Sequence, residues 1–168
     1  MAKILKDLEF WIAISILIAT ILLMTLDHLR FIRLGSFIGP FRVNHWLVLI
    51  GSLYIALIVP IIAFLKNRYL GKFIVFFRIH IFGNLLAFLL ISLHFVSHIS
   101  RPEEMYEDLG TGFVLYIIML LLVATGFTHR FRLIPKIKSQ TRKFVHVGLS
   151  FSFYTIIGIH ILHGLGFL

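Results

Sequence analysis

Long apolar stretches separated by short polar segments make up most of the chain. A helix rises about 1.5 Å per residue, so about 20 apolar residues are needed to cross a hydrocarbon layer about 30 Å thick. Five stretches approach that length: residues 10–26, 46–65, 79–99, 112–127 and 144–162. Pro60 lies inside the second stretch and predicts a kink there. The pattern predicts an all-α polytopic membrane bundle of five transmembrane helices, forming a single domain over residues 1–168.

The composition excludes an ordinary water-soluble domain. Of 168 residues, 60% are hydrophobic and only 14% are charged, and the mean hydropathy is +1.01. Such a chain has more apolar surface than one small core can bury. Cysteine is absent, which excludes disulfides, iron–sulfur ligation and thiolate chemistry. No phosphate-binding loop or dinucleotide glycine motif is present.

The formal net charge of +9 follows the predicted topology rather than a nucleic-acid surface. Five spans place the segments before 10, between 65 and 79, and between 127 and 144 on one side, and these hold twelve of the sixteen basic residues. The opposite side holds Arg30, Arg33, Arg42 and Arg101. This asymmetry predicts a cell-membrane protein with its N-terminus in the cytoplasm and its C-terminus outside. We expect the first apolar segment to be retained, since no small-residue cleavage site follows it.

The outer loop "RPEEMYEDLG", residues 101–110, holds four of the seven acidic residues. The first interpretation is a solvated connection between two spans, because runs of charged residues usually lie on the solvent-exposed surface. The alternative is a docking surface for a basic partner.

Histidines recur at one spacing within two of the apolar stretches. His80 and His94 are 14 residues apart in the third stretch, and His146 and His160 are 14 residues apart in the fifth. Fourteen residues of α-helix return to within about 40° of the same direction and rise about 21 Å. Since the third and fifth spans run in the same direction, His80 should share a level with His146, and His94 with His160.

Two facing neutral imidazoles at one level are the ligand set of a bis-histidine haem. The two matched histidine pairs therefore predict two haem b groups held between helices 3 and 5, with His80, His94, His146 and His160 as the iron ligands. A metal or proton transporter would need three or four ligands at one depth. The remaining alternative is a structural subunit without a cofactor, whose histidines form hydrogen bonds to neighbouring helices.

Glycines and basic residues close to the four histidines are consistent with two haems, and each also has a simpler explanation. Gly83, one turn after His80, would allow close approach of a macrocycle, or serves ordinary helix packing. Gly148 and Gly158 carry the same two interpretations. The predicted partners of the haem propionates are basic: Arg78, Arg142 and Lys143 for the inner haem, and Arg33, Arg42 or Arg101 for the outer one. Positive-inside anchoring predicts the inner residues equally well.

Two further histidines are alternative outer ligands. His98 follows His80 by 18 residues and His163 follows His160 by three. Eighteen residues rise about 27 Å, which would put an iron at the edge of the hydrocarbon. The matched spacing of 14 is therefore preferred, and His98 and His163 are assigned to propionate binding, proton relay or an outside substrate. The remaining histidines at span ends, His28, His45 and His129, need no special role.

Three stretches carry a family resemblance: "LHFVSH" around His94 and His98, "TGFTHRFRLIPKIKSQTRKFVH" leading into His146, and "GIHILHG". Over residues 71–164 the chain resembles the ferric-reductase-like transmembrane domain, which is found in NADPH oxidases, ferric reductases and haem-binding subunits of periplasmic reductases. That family holds two stacked b haems on its third and fifth helices. The resemblance implies that His80, His94, His146 and His160 are the axial ligands.

The chain departs from that family in three respects. The family's second histidine pair is commonly one residue closer, and equal spacings of 14 are also similar to the cytochrome b of quinol-oxidising complexes. A sixth helix and a flavin or nicotinamide domain are not seen. We therefore expect electrons to come from or pass to a partner subunit, a soluble carrier or a membrane quinone.

The predicted function is transmembrane electron transfer by a dihaem cytochrome b acting as the membrane subunit of a redox complex. The alternative is a free-standing quinol-dependent or ferric-type reductase. No acid–base or nucleophilic constellation is visible, so no catalytic residue is assigned.

Overall fold

The computed structural model describes residues 2–32, 34, 36–100, 110–134, 136–164 and 167. Within them the elements follow in this order: α1 (Ala2–His28), β1 (Phe37–Ile38), β2 (Phe41–Arg42), α2 (Val43–Leu53), a π turn (Tyr54–Ile58), α3 (Val59–Arg68), a 3₁₀ turn (Leu70–Lys72), α4 (Phe73–Ile99), α5 (Gly110–Phe131) and α6 (Ser139–Gly164). β1 and β2 pair as an antiparallel hairpin in which each strand is two residues long.

The five predicted spans are confirmed as helices long and apolar enough to cross a membrane. They cover Asp7–His28, Val43–Leu65, Phe73–Ile99, Gly110–Phe131 and Ser139–His163. Each is a few residues longer than the apolar stretch that predicted it. Most residues of each span are not buried within the chain, which is the arrangement that apolar side chains adopt when lipid is their solvent. The protein is a multi-pass membrane protein of the all-α class.

Contacts divide the chain into two compact units, an N-terminal unit (Met1–Pro102) and a C-terminal unit (Glu103–Leu168). The single domain over residues 1–168 stays a prediction. In the N-terminal unit, α4 packs against both α1 and α2. Most of the buried apolar side chains described in this unit belong to α4: Leu85, Ala87, Phe88, Leu93 and Val96. Ser92 of α4 is buried with them.

The second span changes helix type in its middle. The π turn separates α2 from α3, and the backbone N–H of Val59 donates to the carbonyl of Tyr54, five residues earlier. Pro60 lies in the first turn of α3, where its missing N–H is tolerated. The kink predicted at Pro60 stays a prediction, and the change of helix type just before this residue was not predicted.

A glycine allows the second and third spans to approach closely. A Cβ at Gly51 would lie 3.0 Å from Cγ1 of Ile91 and 3.1 Å from the carbonyl oxygen of Ala87. Any larger residue would push α2 away from α4.

Two buried carboxylates join α1 to α4 near opposite ends of α1. Nε of Arg78 lies 2.8 Å from Oε1 of Glu9 in an ion pair. The hydroxyl of Ser97 donates to Oδ2 of Asp27 at 2.7 Å. Both carboxylates are buried. Arg78 and Ser97 therefore supply hydrogen bonds that the carboxylates cannot obtain from water.

The C-terminal unit is a pair of antiparallel helices. Thr125 of α5 contacts His146 of α6, and Thr111 contacts His160, so the residue numbers rise along one helix as they fall along the other. Tyr116 and Met119 of α5 and Phe153 of α6 are buried.

Candidate functional site

Both predicted ligands of α6 are held by threonines of α5. Nδ1 of His146 lies 3.0 Å from Oγ1 of Thr125, and Nδ1 of His160 lies 2.9 Å from Oγ1 of Thr111. Fourteen residues separate the histidines and also the threonines, so the same contact occurs at two levels about 21 Å apart along the helices.

The hydrogen bonds around Thr125 favour one tautomer of His146. The Thr125 hydroxyl lies 2.8 Å from the carbonyl oxygen of Leu121 and 3.1 Å from that of Leu122. When it donates its proton to either carbonyl, its oxygen accepts at His146, so that Nδ1 is the N–H nitrogen and the lone pair of a neutral ring is on Nε2. This arrangement is typical of metal-ligating histidines, whose second nitrogen is held by a hydrogen bond.

Each of these threonines is followed by a glycine that contacts the same imidazole. A Cβ at Gly126 would lie 3.2 Å from Cε1 of His146, and a Cβ at Gly112 would lie 3.4 Å from Cε1 of His160. A side chain at Gly126 would crowd the ring, whereas one at Gly112 would only touch it. This repeat was not predicted, although "TGF" occurs at residues 111–113 and again at 125–127.

Cationic groups lie one turn from the His146 level, toward the α5–α6 connection. Nη1 of Arg142 donates to the carbonyl of Ile134 at 2.6 Å. Nε of Arg142 and Nδ1 of His129 are buried and have no hydrogen-bond partner among the described residues. Lys143 is exposed. Arg142 and Lys143 thus lie near the His146 level, and His129, for which no role was predicted, lies near them.

In the N-terminal unit, His80 has an amide as neighbour. Nδ2 of Asn84, one turn further along α4, lies 3.3 Å from Nδ1 and 3.5 Å from Nε2 of His80. Arg78, predicted to bind a propionate, uses its Nε for Glu9.

Gly83 has a packing role. A Cβ at this position would overlap the hydroxyl and ring of Tyr54, and that hydroxyl donates to the carbonyl of Ile79 at 2.6 Å. The ordinary helix-packing interpretation therefore accounts for Gly83, and its role in approach of a macrocycle gains no support.

The other predicted ligand of α4 lies in a cluster of three histidines. His45 in the first turn of α2 and His94 and His98 on α4 each offer a ring nitrogen, and these nitrogens lie within 4.8 Å of one another. The ring centres of His94 and His98 are 4.4 Å apart. No role was predicted for His45, and the structure brings it to both candidate outer ligands.

The remaining predicted residues that the structure describes are not brought to a common site. Nδ1 of His28 lies 2.9 Å from the Ser100 hydroxyl, and His163 is exposed. The Arg42 guanidinium lies over the ring of Phe37, 5.4 Å from its centre. Arg33, Arg101 and the acidic segment 101–109 lie outside the described residues. The pairing of α4 ligands with α6 ligands stays a prediction.

Comparison with known proteins returned no relative: no protein-family model matches the sequence, and no curated protein and no solved structure is significantly similar to it. The resemblance to the ferric-reductase-like family stays a prediction carried by the residues quoted for it.

Proposed function

We propose that the protein is a dihaem b-type cytochrome that transfers electrons across the cell membrane as the membrane subunit of a redox complex. The observation that carries this proposal is the repeated contact of α5 with α6. Thr125 and Thr111 lie within hydrogen-bond distance of Nδ1 of His146 and His160 at two levels, which leaves Nε2 of each ring for a ligand.

In this proposal His146 and His160 of α6, together with His80 and His94 of α4, would hold the haem iron. When bound, haem iron supplies reversible one-electron transfer. The chain holds the imidazoles neutral and oriented, and its apolar helices exclude water from the ligands. Asn84 also contacts the ring of His80, but through its Nδ2, which is a donor, so this contact differs from the one that Thr125 makes with His146.

The donor set also fits an acidic group beside the inner level. Arg142 and His129 each keep a buried nitrogen without a hydrogen-bond partner among the described residues, and Lys143 adds a second cation nearby. A haem propionate would satisfy these nitrogens. Arg78 is a weaker candidate because Glu9 already holds its Nε.

The N-terminus is proposed to be cytoplasmic and the C-terminus outside, from the distribution of basic residues. The proposed electron partners are a partner subunit, a soluble carrier or a membrane quinone. The histidine cluster in the N-terminal unit is the one observation that favours a second function, metal binding.

The test is the haem content of the purified full chain, measured by the visible spectra of its oxidised and reduced forms. We expect two low-spin haems per chain, and one in each of the variants His146→Ala and His160→Ala. His28→Ala is the matched control, because His28 contacts the hydroxyl of Ser100 and belongs to neither proposed ligand pair. A helical wild-type protein without haem, or a His146→Ala variant that keeps both haems, would contradict the proposal.

Comparison of His94→Ala with His98→Ala then identifies the outer ligand of α4. Loss of one haem from His94→Ala alone supports the spacing of 14. Loss from His98→Ala alone would move the ligand one turn toward the helix end.

A further inference from the structure

The histidine cluster of the N-terminal unit has the composition of a transition-metal site. It contains three imidazoles and is built from two elements: His94 and His98 are four residues apart and so share one face of α4, and His45 reaches them from the start of α2. Histidines at positions i and i+4 of one helix are a recurrent pair of metal ligands.

The distances within the cluster suit a small ion. One nitrogen from each ring lies within 4.8 Å of the others. Zinc–nitrogen bonds are about 2.0–2.1 Å, so tetrahedral coordination needs nitrogens about 3.4 Å apart. On binding an ion, the half-buried side chains would have to rotate to bring their nitrogens from within 4.8 Å to that separation. Three histidines leave a fourth position for water, as in open zinc sites.

His94 belongs both to this cluster and to the proposed haem ligands. A neutral imidazole has one lone pair, since its other nitrogen carries the proton. It therefore cannot bind a haem iron and a second metal at once. The two ligands of His94 must compete.

We propose that His45, His94 and His98 form a binding site for a divalent transition metal of the zinc type, and that this ion and the outer haem exclude each other. The competition rests on the proposed function, whereas the metal site itself does not. An ion at this site would prevent loading of the outer haem and leave the inner one in place.

The experiment measures Zn²⁺ binding to the full chain by equilibrium dialysis against zinc chloride, together with haem content. The His160→Ala variant is the key protein, because it loses the outer haem through the ligand on α6 and keeps all three cluster histidines. We expect it to bind one Zn²⁺ per chain, at least tenfold more tightly than the two-haem wild type. Adding His45→Ala should weaken this binding at least tenfold. His45→Ala alone should keep both haems.

Three results would overturn the inference. The first is that His160→Ala binds no Zn²⁺, and the second is that adding His45→Ala leaves its Zn²⁺ binding unchanged. The third is that the two-haem wild type binds Zn²⁺ as tightly as His160→Ala. Circular dichroism of each variant verifies that its helices are intact, and His28→Ala controls for removal of a histidine from the same unit. If the wild type contains no haem at all, the proposed function fails, and the metal site is tested by comparing wild type with His45→Ala directly.

Discussion

The hydroxyl of Thr125 lies 3.0 Å from Nδ1 of His146 and donates to the backbone carbonyl of Leu121 at 2.8 Å. A hydroxyl that donates to a carbonyl of its own helix accepts from the imidazole, which favours the His146 tautomer with its lone pair on Nε2. Thr111 repeats the contact with His160 at 2.9 Å.

Thr125→Val removes this hydrogen bond while nearly keeping the shape of the side chain. Without an acceptor at Nδ1 the imidazole is a poorer electron donor, and loss of such an outer contact typically lowers metal affinity about 10–100-fold. We expect faster haem loss at the His146 level and a higher reduction potential of that haem, measured by redox titration. Thr155→Val is the control, because Thr155 makes the same bond to a carbonyl of its own helix but is exposed. Equal changes in both variants would contradict the role assigned to Thr125.

Gly126→Ala tests how closely α5 approaches the ring of His146. The new Cβ would lie 3.2 Å from Cε1, so the ring must move by a few tenths of an ångström. We expect a shifted or broadened spectrum of one haem. Gly148→Ala is the matched control, since a Cβ there meets nothing within 4 Å, and it should stabilise α6 by about 0.5–1 kcal/mol through helix propensity. An unchanged spectrum for Gly126→Ala would show that the contact has no effect on ligation.

Gly83→Ala should destabilise the N-terminal unit because the added methyl overlaps the ring of Tyr54. Overpacking of this kind costs about 1–3 kcal/mol. Tyr54→Ala removes the obstacle, so Gly83→Ala should have almost no additional cost in that background. The measurement is a double-mutant cycle of thermal unfolding in detergent. Additive costs would mean that Gly83 has another role, and the approach of a haem would again have to be considered.

The ion pair of Arg78 with Glu9 should respond unequally to its two truncations. Glu9 is buried and Arg78 is partly exposed, with side-chain exposures of 9% and 39%. Arg78→Met leaves a buried carboxylate without its cation and should cost about 1–3 kcal/mol. Glu9→Gln leaves only a partly hydrated guanidinium and should cost less. The double variant should recover part of the loss, as measured by thermal unfolding. A haem spectrum altered by Arg78→Met but not by Glu9→Gln would favour the propionate role instead.

The five helices were predictable because a helix that crosses a bilayer needs about 20 consecutive apolar residues, and such a stretch is visible in the sequence itself. Each described helix that is long and apolar enough to span the hydrocarbon coincides with one of the apolar stretches. The π turn before Pro60 was not predicted, because proline removes a donor without specifying how the backbone compensates.

The threonine–histidine contacts were harder to predict, although their signal was present. Two "TGF" segments share the spacing of His146 and His160, but the coincidence gains meaning only when α5 and α6 are known to be antiparallel neighbours. Gly148 and Gly158 were considered as points of close approach for a haem because each is two residues from a predicted ligand. Two residues along a helix turn the direction by about 160°, so neither lies on the face of its histidine.

His45 and Tyr54 show the limit of sequence reasoning more clearly. Each acts on a residue of α4 that is tens of positions away, and neither belongs to a periodic pattern. Their partners depend on how α2 lies against α4, and the close contact at Gly51 helps to set that arrangement.

The proposed orientation can be tested without background labelling, because the chain has no cysteine. Lys138→Cys lies between α5 and α6, and Phe37→Cys lies on the β1–β2 hairpin; both positions are exposed. From the excess of basic residues on the side of Lys138, a membrane-impermeant maleimide added to intact cells should label Phe37→Cys and spare Lys138→Cys until the cells are opened. Labelling of both variants in permeabilised cells controls for reactivity. The reverse pattern in intact cells would invert the topology and place the His146 level on the outer side of the membrane.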